Sequence, residues 1–345
     1  MKMGIVGVGA IGTVLGTILN SKGIEADLID GFKENVLAMQ KNGTEIRGSI
    51  QEKAQGQAYH LDDLTHKYDL LFLLTKQFEN KEVLTKLLPH LHPTSMICTL
   101  QNGAPEEHVA EFIGKERTIG GAVGFGATWI KPGVTELTSK RKAIQEFAFE
   151  IGEMNGEVTE RIQKVNSILQ HVGGSEVSDN LRGIRWAKLL MNATFSGMSA
   201  ALGCTFGEVL DDPRGYWCLA HLADETIKVA HAQGINLVKM QGVDLEFLEL
   251  KDSTPKEILS KYPFFKKTWD QHRESKASML QDLEKGRTTE IDYINGVVSR
   301  KGKEYGVATP FNDKVVEIVK AKEKNKEVNT FYYIDEFFNT VYISL

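Results

Sequence analysis

Short apolar runs alternate with stretches of helical spacing through the first half of the chain, the order that a parallel sheet with crossover helices requires. An apolar strand over residues 3–6 runs into Gly7, and Ile11 to Lys22 reads as a helix. Glu25 to Ile29 is strand-like and ends on Asp30; a helix over Glu34 to Lys41 follows, closed by Asn42-Gly43. Two short β-like pieces lie around Thr44–Gly48 and Gln55–Tyr59. Asp69-Leu70-Leu71-Phe72-Leu73-Leu74 has the continuous apolar character of a central strand buried on both faces. Asn80 to Leu91 is helical in period, Ser95 to Leu100 returns to strand, and the glycine-rich stretch from Thr118 to Thr138 predicts strands joined by tight turns. A helix over Arg161 to His171 is stopped by Gly173-Gly174, and Ser175 to Ser178 is a last strand.

The junction between the first strand and helix carries Gly7-Val8-Gly9-Ala10-Ile11-Gly12. Placed between a strand and a helix, this spacing is the fingerprint of a dinucleotide-binding turn. Gly7 permits the tight turn, Gly9 lets the backbone approach a pyrophosphate, and Gly12 lets the helix pack closely on the strand. The phosphates then lie at the helix N-terminus. Asp30, at the tip of the second strand, is placed to accept hydrogen bonds from the ribose hydroxyls and to repel a 2′-phosphate, which favours NAD(H). Lys33 is close enough to be a competing phosphate contact, so NADP(H) stays open. In an open α/β sheet the ligand lies beyond the carboxyl ends of the strands. Gly7, Asp30, Thr75-Lys76 and Asn102 all fall on that rim.

After Ser178 the pattern changes to long helical periods, which sets a boundary near Ser178-Asp179. The expected class is α/β: an N-terminal Rossmann-type doubly wound sheet over 1–178, then a mainly α-helical substrate and catalytic domain over 179–345. The stretch 243–272, with Pro255, Pro263 and several aromatic residues, is expected to be irregular, a lid or a packed insertion. A tail from about Lys322 to Leu345 carries Phe331-Tyr332-Tyr333, whose apolar character argues against disorder. Surface docking and a homodimer are the two readings of that tail.

Composition fits a cytoplasmic enzyme of two domains: 345 residues, 41% hydrophobic and 25% charged. A net charge of −5 offers no support for nucleic acid or an anionic membrane as partner. No apolar stretch reaches the roughly eighteen residues of a membrane helix. Cys98, Cys204 and Cys218 are odd in number and lack metal or redox spacing. His90 and His92 are the one close histidine pair, in a proline-flanked loop, and no metal is expected.

In the second half, Trp186-Ala187-Lys188-Leu189-Leu190-Met191-Asn192 puts Lys188 and Asn192 on one helix face, with Trp186, Leu189, Leu190 and Ala193 toward the core. By spacing alone, a lysine and an asparagine on such a face are usually just solvated. Ser278 to Leu283 predicts a helix stopped by Gly286; a second helix capped by Thr288 or Thr289 would place Glu290 in its first turn, where the dipole favours a carboxylate.

These segments together resemble the 2-dehydropantoate 2-reductases, or ketopantoate reductases. The resemblance spans nearly the whole chain through Gly7-x-Gly9-Ala10-x-Gly12, Thr75-Lys76, Leu100-Gln101-Asn102-Gly103, Trp186-x-Lys188-Leu189-x-x-Asn192, Ser278-Met279-x-Gln281-Asp282 and Thr289-Glu290-Ile291-Asp292. It implies reduction of 2-dehydropantoate to D-pantoate with Lys188 as general acid, Asn192 and Ser278 holding the 2-oxo acid and Glu290 completing the site. Thr75, Lys76, Asn102 and Glu290 are implied at the cofactor, and Asn102 also at the substrate. Hydride transfer to a 2-oxo acid leaves an alkoxide, which an ammonium both stabilises and protonates.

Three departures stand out. The family's second asparagine, four positions after the first, is Ser196 here, and a hydroxyl cannot span the reach of an amide. Asp30 replaces the basic residue common in NADP-using members. The stretch 243–272 and the tail extend a compact core. They motivate the alternative of an NAD-dependent D-2-hydroxyacid dehydrogenase for branched or mandelate-type substrates. A non-catalytic dinucleotide sensor is a third reading, which Lys188, Asn192, Ser278 and Glu290 argue against.

Overall fold

The computed structural model describes residues 1–340 apart from Gln241 and Asn329. It divides into two compact units, Met1–Leu181 and Arg182–Leu345.

The first unit runs β1 (Met3–Val6), α1 (Ala10–Ser21), β2 (Asp27–Asp30), α2 (Lys33–Asn42), β3 (Thr44–Gly48), β4 (Glu52–Ala54), β5 (Ala58–His60), β6 (Tyr68–Leu73), α3 (Asn80–Leu87), β7 (Leu91–Thr99), α4 (Glu106–Ile113), β8 (Thr118–Val123), β9 (Ala127–Lys131), β10 (Val134–Leu137), α5 (Arg141–Glu146), β11 (Phe149–Glu153), α6 (Glu160–Leu169) and β12 (Ser175–Val177). The main sheet has the order β12-β11-β8-β7-β6-β1-β2-β5. The chain leaves β1 toward β2 and β5, then crosses back to pair β6 on the other side, so the switch of direction lies beside β1. Val6 is level with both Ile29 and Leu73, which puts Gly7, Asp30 and Leu74 at one rim.

Two features depart from the sequence expectation of one parallel sheet. β11 pairs β8 antiparallel, and β4-β3-β10-β9 form a separate four-stranded sheet. The small sheet packs on α1, where Thr17 Oγ1 donates to Thr44 Oγ1 at 2.8 Å. This explains why α1 lacks a polar face: Gly12 through Leu19 are all buried, with sheets on both sides. The helix expected over Asn80 to Leu91 ends at Leu87. Pro89 turns the chain through a 3₁₀ turn, Leu88–His90, and β7 begins earlier than expected, at Leu91.

The second unit is helical: α7 (Leu181–Met191), a π-helical turn (Asn192–Ser196), α8 (Gly197–Leu202), α9 (Phe206–Asp211), α10 (Pro213–Ala232), α11 (Pro255–Trp269), α12 (Ser278–Glu284), α13 (Asn295–Tyr305), α14 (Pro310–Asn325) and α15 (Ile334–Thr340). The buried helix α10 forms the axis of its core. Much of the stretch expected to be irregular is α11. Pro255 occupies the first turn behind the Thr254 cap, whose hydroxyl accepts from Glu257 N, and Pro263 is carried inside the helix. Burial of Ile258, Phe265 and Trp269 outweighs the hydrogen bond that Pro263 forfeits. The tail packs on its own unit: Ile334 and Phe337 are buried, and Phe337 stacks on Phe311 with ring centroids 6.1 Å apart. Residues 341–345 of the tail lie outside the described residues. No helix among the described residues is long and apolar enough to cross a membrane.

Candidate active site

The glycine loop is built from backbone necessities. Gly7 has φ +89°, and a Cβ on it would sit 2.6 Å from Thr75 N, so β1 and the turn after β6 meet there with no room for a side chain. A Cβ on Gly12 would lie 2.2 Å from Gly7 O, which sets how closely α1 approaches β1. Gly9 differs. No protein atom lies within 4 Å of its Cβ position, and no side chain caps the first turn of α1. An open face over Gly9 and a helix N-terminus without a side-chain cap fit a pyrophosphate. Val8 is buried beneath this loop, and Ala10 and Ile11 open α1 half-buried.

Asp30 is tied into the same loop. Its Oδ2 accepts from Val8 N at 2.8 Å and from Asn35 Nδ2 at 3.1 Å, and its Oδ1 accepts from Phe32 N at 2.8 Å. A carboxylate offers about four lone-pair directions, so capacity remains for a ribose hydroxyl. Asn35 also donates to Val8 O at 3.0 Å and accepts from Gly133 N at 2.8 Å. Lys33 is exposed at the start of α2. On the next strands the rim is fixed by Gln101, whose Nε2 donates to Thr75 O at 2.7 Å and to Asn80 Oδ1 at 2.6 Å. Asn102 follows, half-buried, with its carbonyl accepting from Gln77 Nε2, and Gly103 turns at φ +77°. Lys76 immediately precedes a short 3₁₀ turn, Gln77–Glu79. Asn35 and Gln101 hold this site in shape; Asn35 lies in no motif of the sequence, and Gln101 lies in one that assigns it no role.

In the second unit Lys188 stands near the end of α7, oriented by the burial of Trp186, Leu189, Leu190 and Ala193. Burial pushes its amine down to about 7, the Arg185 guanidinium one turn earlier adds to that, and the Glu290 carboxylate opposes it. Arg185 itself is buried. Asn192 and Ser196, both half-buried, bracket the π turn, in which Gly197 N reaches back to Asn192 O. Ser196 therefore does not stand over Asn192 as it would on a regular α-helix. Ser278 is exposed at the first residue of α12, which packs against the π turn.

Glu290 is buried, but not in an α-helix as expected. It precedes a 3₁₀ turn, Ile291–Tyr293, and α13 begins only at Asn295. Thr289 does not cap a helix; its N and Oγ1 both donate to Glu323 Oε1 at 2.7 Å. The Glu290 carboxylate acts electrostatically on Lys188.

Two family models match the chain: "Ketopantoate reductase PanE/ApbA" over residues 3–154 and "Ketopantoate reductase PanE/ApbA C terminal" over residues 180–323. The chain belongs to the ketopantoate reductase family. Within this family it is 30% identical over 325 residues to a 2-dehydropantoate 2-reductase of Pyrococcus horikoshii, covering 94% of this chain and 98% of the relative. A 2-dehydropantoate 2-reductase of Lactococcus lactis is 28% identical over 337 residues, with 94% and 98% covered. Among solved structures, a D-mandelate dehydrogenase with NADH and anilino(oxo)acetate superposes with a TM-score of 0.80 at 28% identity, covering 94% of this chain and 99% of that one. A PanE/ApbA family ketopantoate reductase from Ralstonia eutropha shares the fold, with a TM-score of 0.78 at 22% identity and 94% and 99% covered. This ketopantoate reductase family member is an NAD(P)-dependent oxidoreductase acting on a CH–OH group, of the class that interconverts 2-oxo and 2-hydroxy acids.

Proposed function

We propose that the protein reduces 2-dehydropantoate to D-pantoate with NADH. The observation that carries the reading is the Lys188 amine, brought to about 7 by burial in a field shared with Arg185 and Glu290. An acid near neutrality both holds a proton and releases it readily. The glycine loop and the start of α1 would hold the pyrophosphate, Asp30 the adenosine ribose, and Thr75, Lys76 and Asn102 the nicotinamide side. The nicotinamide, when bound, supplies the hydride to the carbonyl carbon. Lys188 Nζ gives its proton to the carbonyl oxygen as the C–O π bond breaks, and recovers one from solvent after release. Before that transfer the ammonium stabilises the developing alkoxide. Glu290 opposes loss of the Lys188 proton and would also serve the cofactor; Asn192, Ser196 and Ser278 would hold the substrate.

A second reading within the same chemistry is a D-2-hydroxyacid dehydrogenase acting on branched or aromatic 2-oxo acids. It is favoured by Ser196 in place of an amide, by Asp30, and by the likeness to a D-mandelate dehydrogenase solved with NADH. The test is a kinetic matrix of NADH and NADPH against 2-dehydropantoate, benzoylformate and 2-oxoisocaproate. Highest kcat/KM for 2-dehydropantoate with NADH is expected. A preference for benzoylformate or 2-oxoisocaproate establishes the second reading, and NADH binding without turnover of any 2-oxo acid overturns both.

A further inference from the structure

The π turn between α7 and α8 poses a hydrogen-bonding question of its own. In a regular helix Gly197 N would donate four residues back, to Ala193 O; here it is shared between Asn192 O and Thr194 O. A buried carbonyl that loses its helical donor needs another. Ala193 O receives it from outside the helix: Asn295 Nδ2, at the start of α13, donates to it at 2.9 Å.

Asn295 is fully buried. The second amide hydrogen goes to Asn312 Oδ1 at 2.9 Å. Asn312 Nδ2 donates in turn to Glu225 Oε2 at 2.7 Å, and Glu225 accepts at the same time from the backbone of Phe311 and Asn312 at 2.8 and 2.9 Å. The buried carboxylate of α10 thus caps α14, orients Asn312 and, through it, aims the Asn295 amide at the π turn. On the other side Gly197 faces Asn295. A Cβ there would sit 2.7 Å from Asn295 Oδ1, so the close approach needs glycine. From behind, Phe195 in the turn stacks on Trp269 at 4.8 Å and 19°.

We infer that Asn295 is a positioning residue: by supplying the donor that Ala193 O loses, it holds the five-residue turn open and so sets where Asn192 and Ser196 present their polar groups relative to Lys188. The inference rests on the function proposed above for those three residues. Asn295 touches none of the reacting atoms, and its effect passes through the backbone of residues 192–197. An α-helical turn in that place would rotate Ser196 onto a different face and lengthen the axial rise from Asn192 to α8. This is the feature by which a chain with serine at 196 adjusts its grip on a 2-oxo acid without changing the proton donor.

The experiment compares Asn295→Asp and Asn295→Ala with Val298→Ala, which opens a cavity at a fully buried position on the same helix. Asn295→Asp keeps the volume and leaves at most one donor, the O–H of a protonated carboxyl, where the amide has two, so it tests the donors while Asn295→Ala tests the side chain as a whole. Both Asn295 variants are expected to raise KM for the preferred 2-oxo acid about tenfold, with KM for NADH within about twofold of wild type. Val298→Ala is expected to lower the melting temperature without that split. Hydrogen exchange of the peptide spanning 190–203, measured on the free protein, should accelerate in the Asn295 variants and not in Val298→Ala. A folded Asn295→Asp with unchanged KM for the 2-oxo acid and unchanged exchange overturns the inference. If the wild type reduces no 2-oxo acid, the proposed function fails by itself. The exchange measurement then decides on its own whether Asn295 holds the turn: unchanged rates overturn that, and faster rates uphold it.

Discussion

The Asp30 carboxylate accepts a hydrogen bond from the Val8 backbone N–H at 2.8 Å, so the acid at the end of β2 helps to build the glycine loop. Its carboxylate is held in place by Val8 N, Phe32 N and Asn35 Nδ2. If Asp30 selects against a 2′-phosphate as proposed, that selection and the shaping of the glycine turn share one side chain.

Replacing Asp30 by alanine should accordingly have two effects. NADH affinity is expected to fall at least about tenfold while discrimination against NADPH shrinks, and the protein should lose about 2 kcal/mol of stability as Val8 N and Asn35 lose their charged acceptor. Fluorescence titration with both cofactors and a denaturant melt measure the two effects. An unchanged NADPH-to-NADH preference would refute the role of Asp30 as discriminator.

Gly9 and Gly12 should separate by phenotype. Gly9→Ala meets no protein atom within 4 Å and is expected to fold with wild-type stability, yet lose NADH binding by about a hundredfold because the methyl occupies the face that a pyrophosphate approaches. Gly12→Ala forces a methyl to 2.2 Å from Gly7 O and should destabilise by about 1–3 kcal/mol even without cofactor. Equal stability losses in both variants would contradict this division of labour.

The Lys188 proton predicts a pH profile. As the donor in reduction it must be charged, so kcat/KM for the 2-oxo acid should be flat below about 7 and fall with one proton above it, while oxidation of the 2-hydroxy acid should rise through the same range. Arg185→Gln removes a positive neighbour and should move that limb to higher pH; Glu290→Gln removes a negative one and should move it lower. A profile that is indifferent to both, in variants that still turn over, would exclude Lys188 as the titrating acid.

Lys322 predicts a stability effect distant from the chemistry. Fully buried, its Nζ donates to Ala200 O at 2.7 Å, Val328 O at 2.9 Å and Ala201 O at 3.3 Å, closing the carbonyl end of α8. Lys322→Met leaves buried carbonyls without this donor and should cost about 3 kcal/mol, a drop of roughly 6–12 °C in Tm. An unchanged melt would mean that water replaces the amine at no cost.

What was legible in the sequence follows from which residues answer to local rules. Gly7, Gly12 and the strand preceding them could be read because a tight turn and a close helix approach admit no other residue. The burial of Leu189, Leu190 and Ala193 was likewise legible, because a helix repeats its faces at a fixed period. Asn35 escaped, and Gln101 was legible as a motif member but not in its role, since their partners lie on turns far along the chain: Asn35 reaches Gly133, and Gln101 reaches Thr75. The position of Glu290 was misread as a helix start because Thr288-Thr289-Glu290 satisfies a capping pattern whose hydroxyl is instead engaged by Glu323. The π turn was invisible, because a spacing of four looks the same on paper whether the helix closes on four residues or five. α11 was hidden by its prolines, whose cost is offset by aromatic burial that only the folded chain supplies.

That helix alters the meaning of the chain's most expendable-looking stretch. Trp269 gives Phe195 the surface on which it lies, and Phe195 is three residues along from Asn192 and adjacent to Ser196. A shortened or re-routed segment between α10 and α12 would take away a backing plate, leaving the polar residues of the turn in place but without the stiffness that fixes their direction. If Asn192 and Ser196 hold the substrate as proposed, selectivity can be altered from behind, by the size of an apolar ring, with every polar group of the turn untouched.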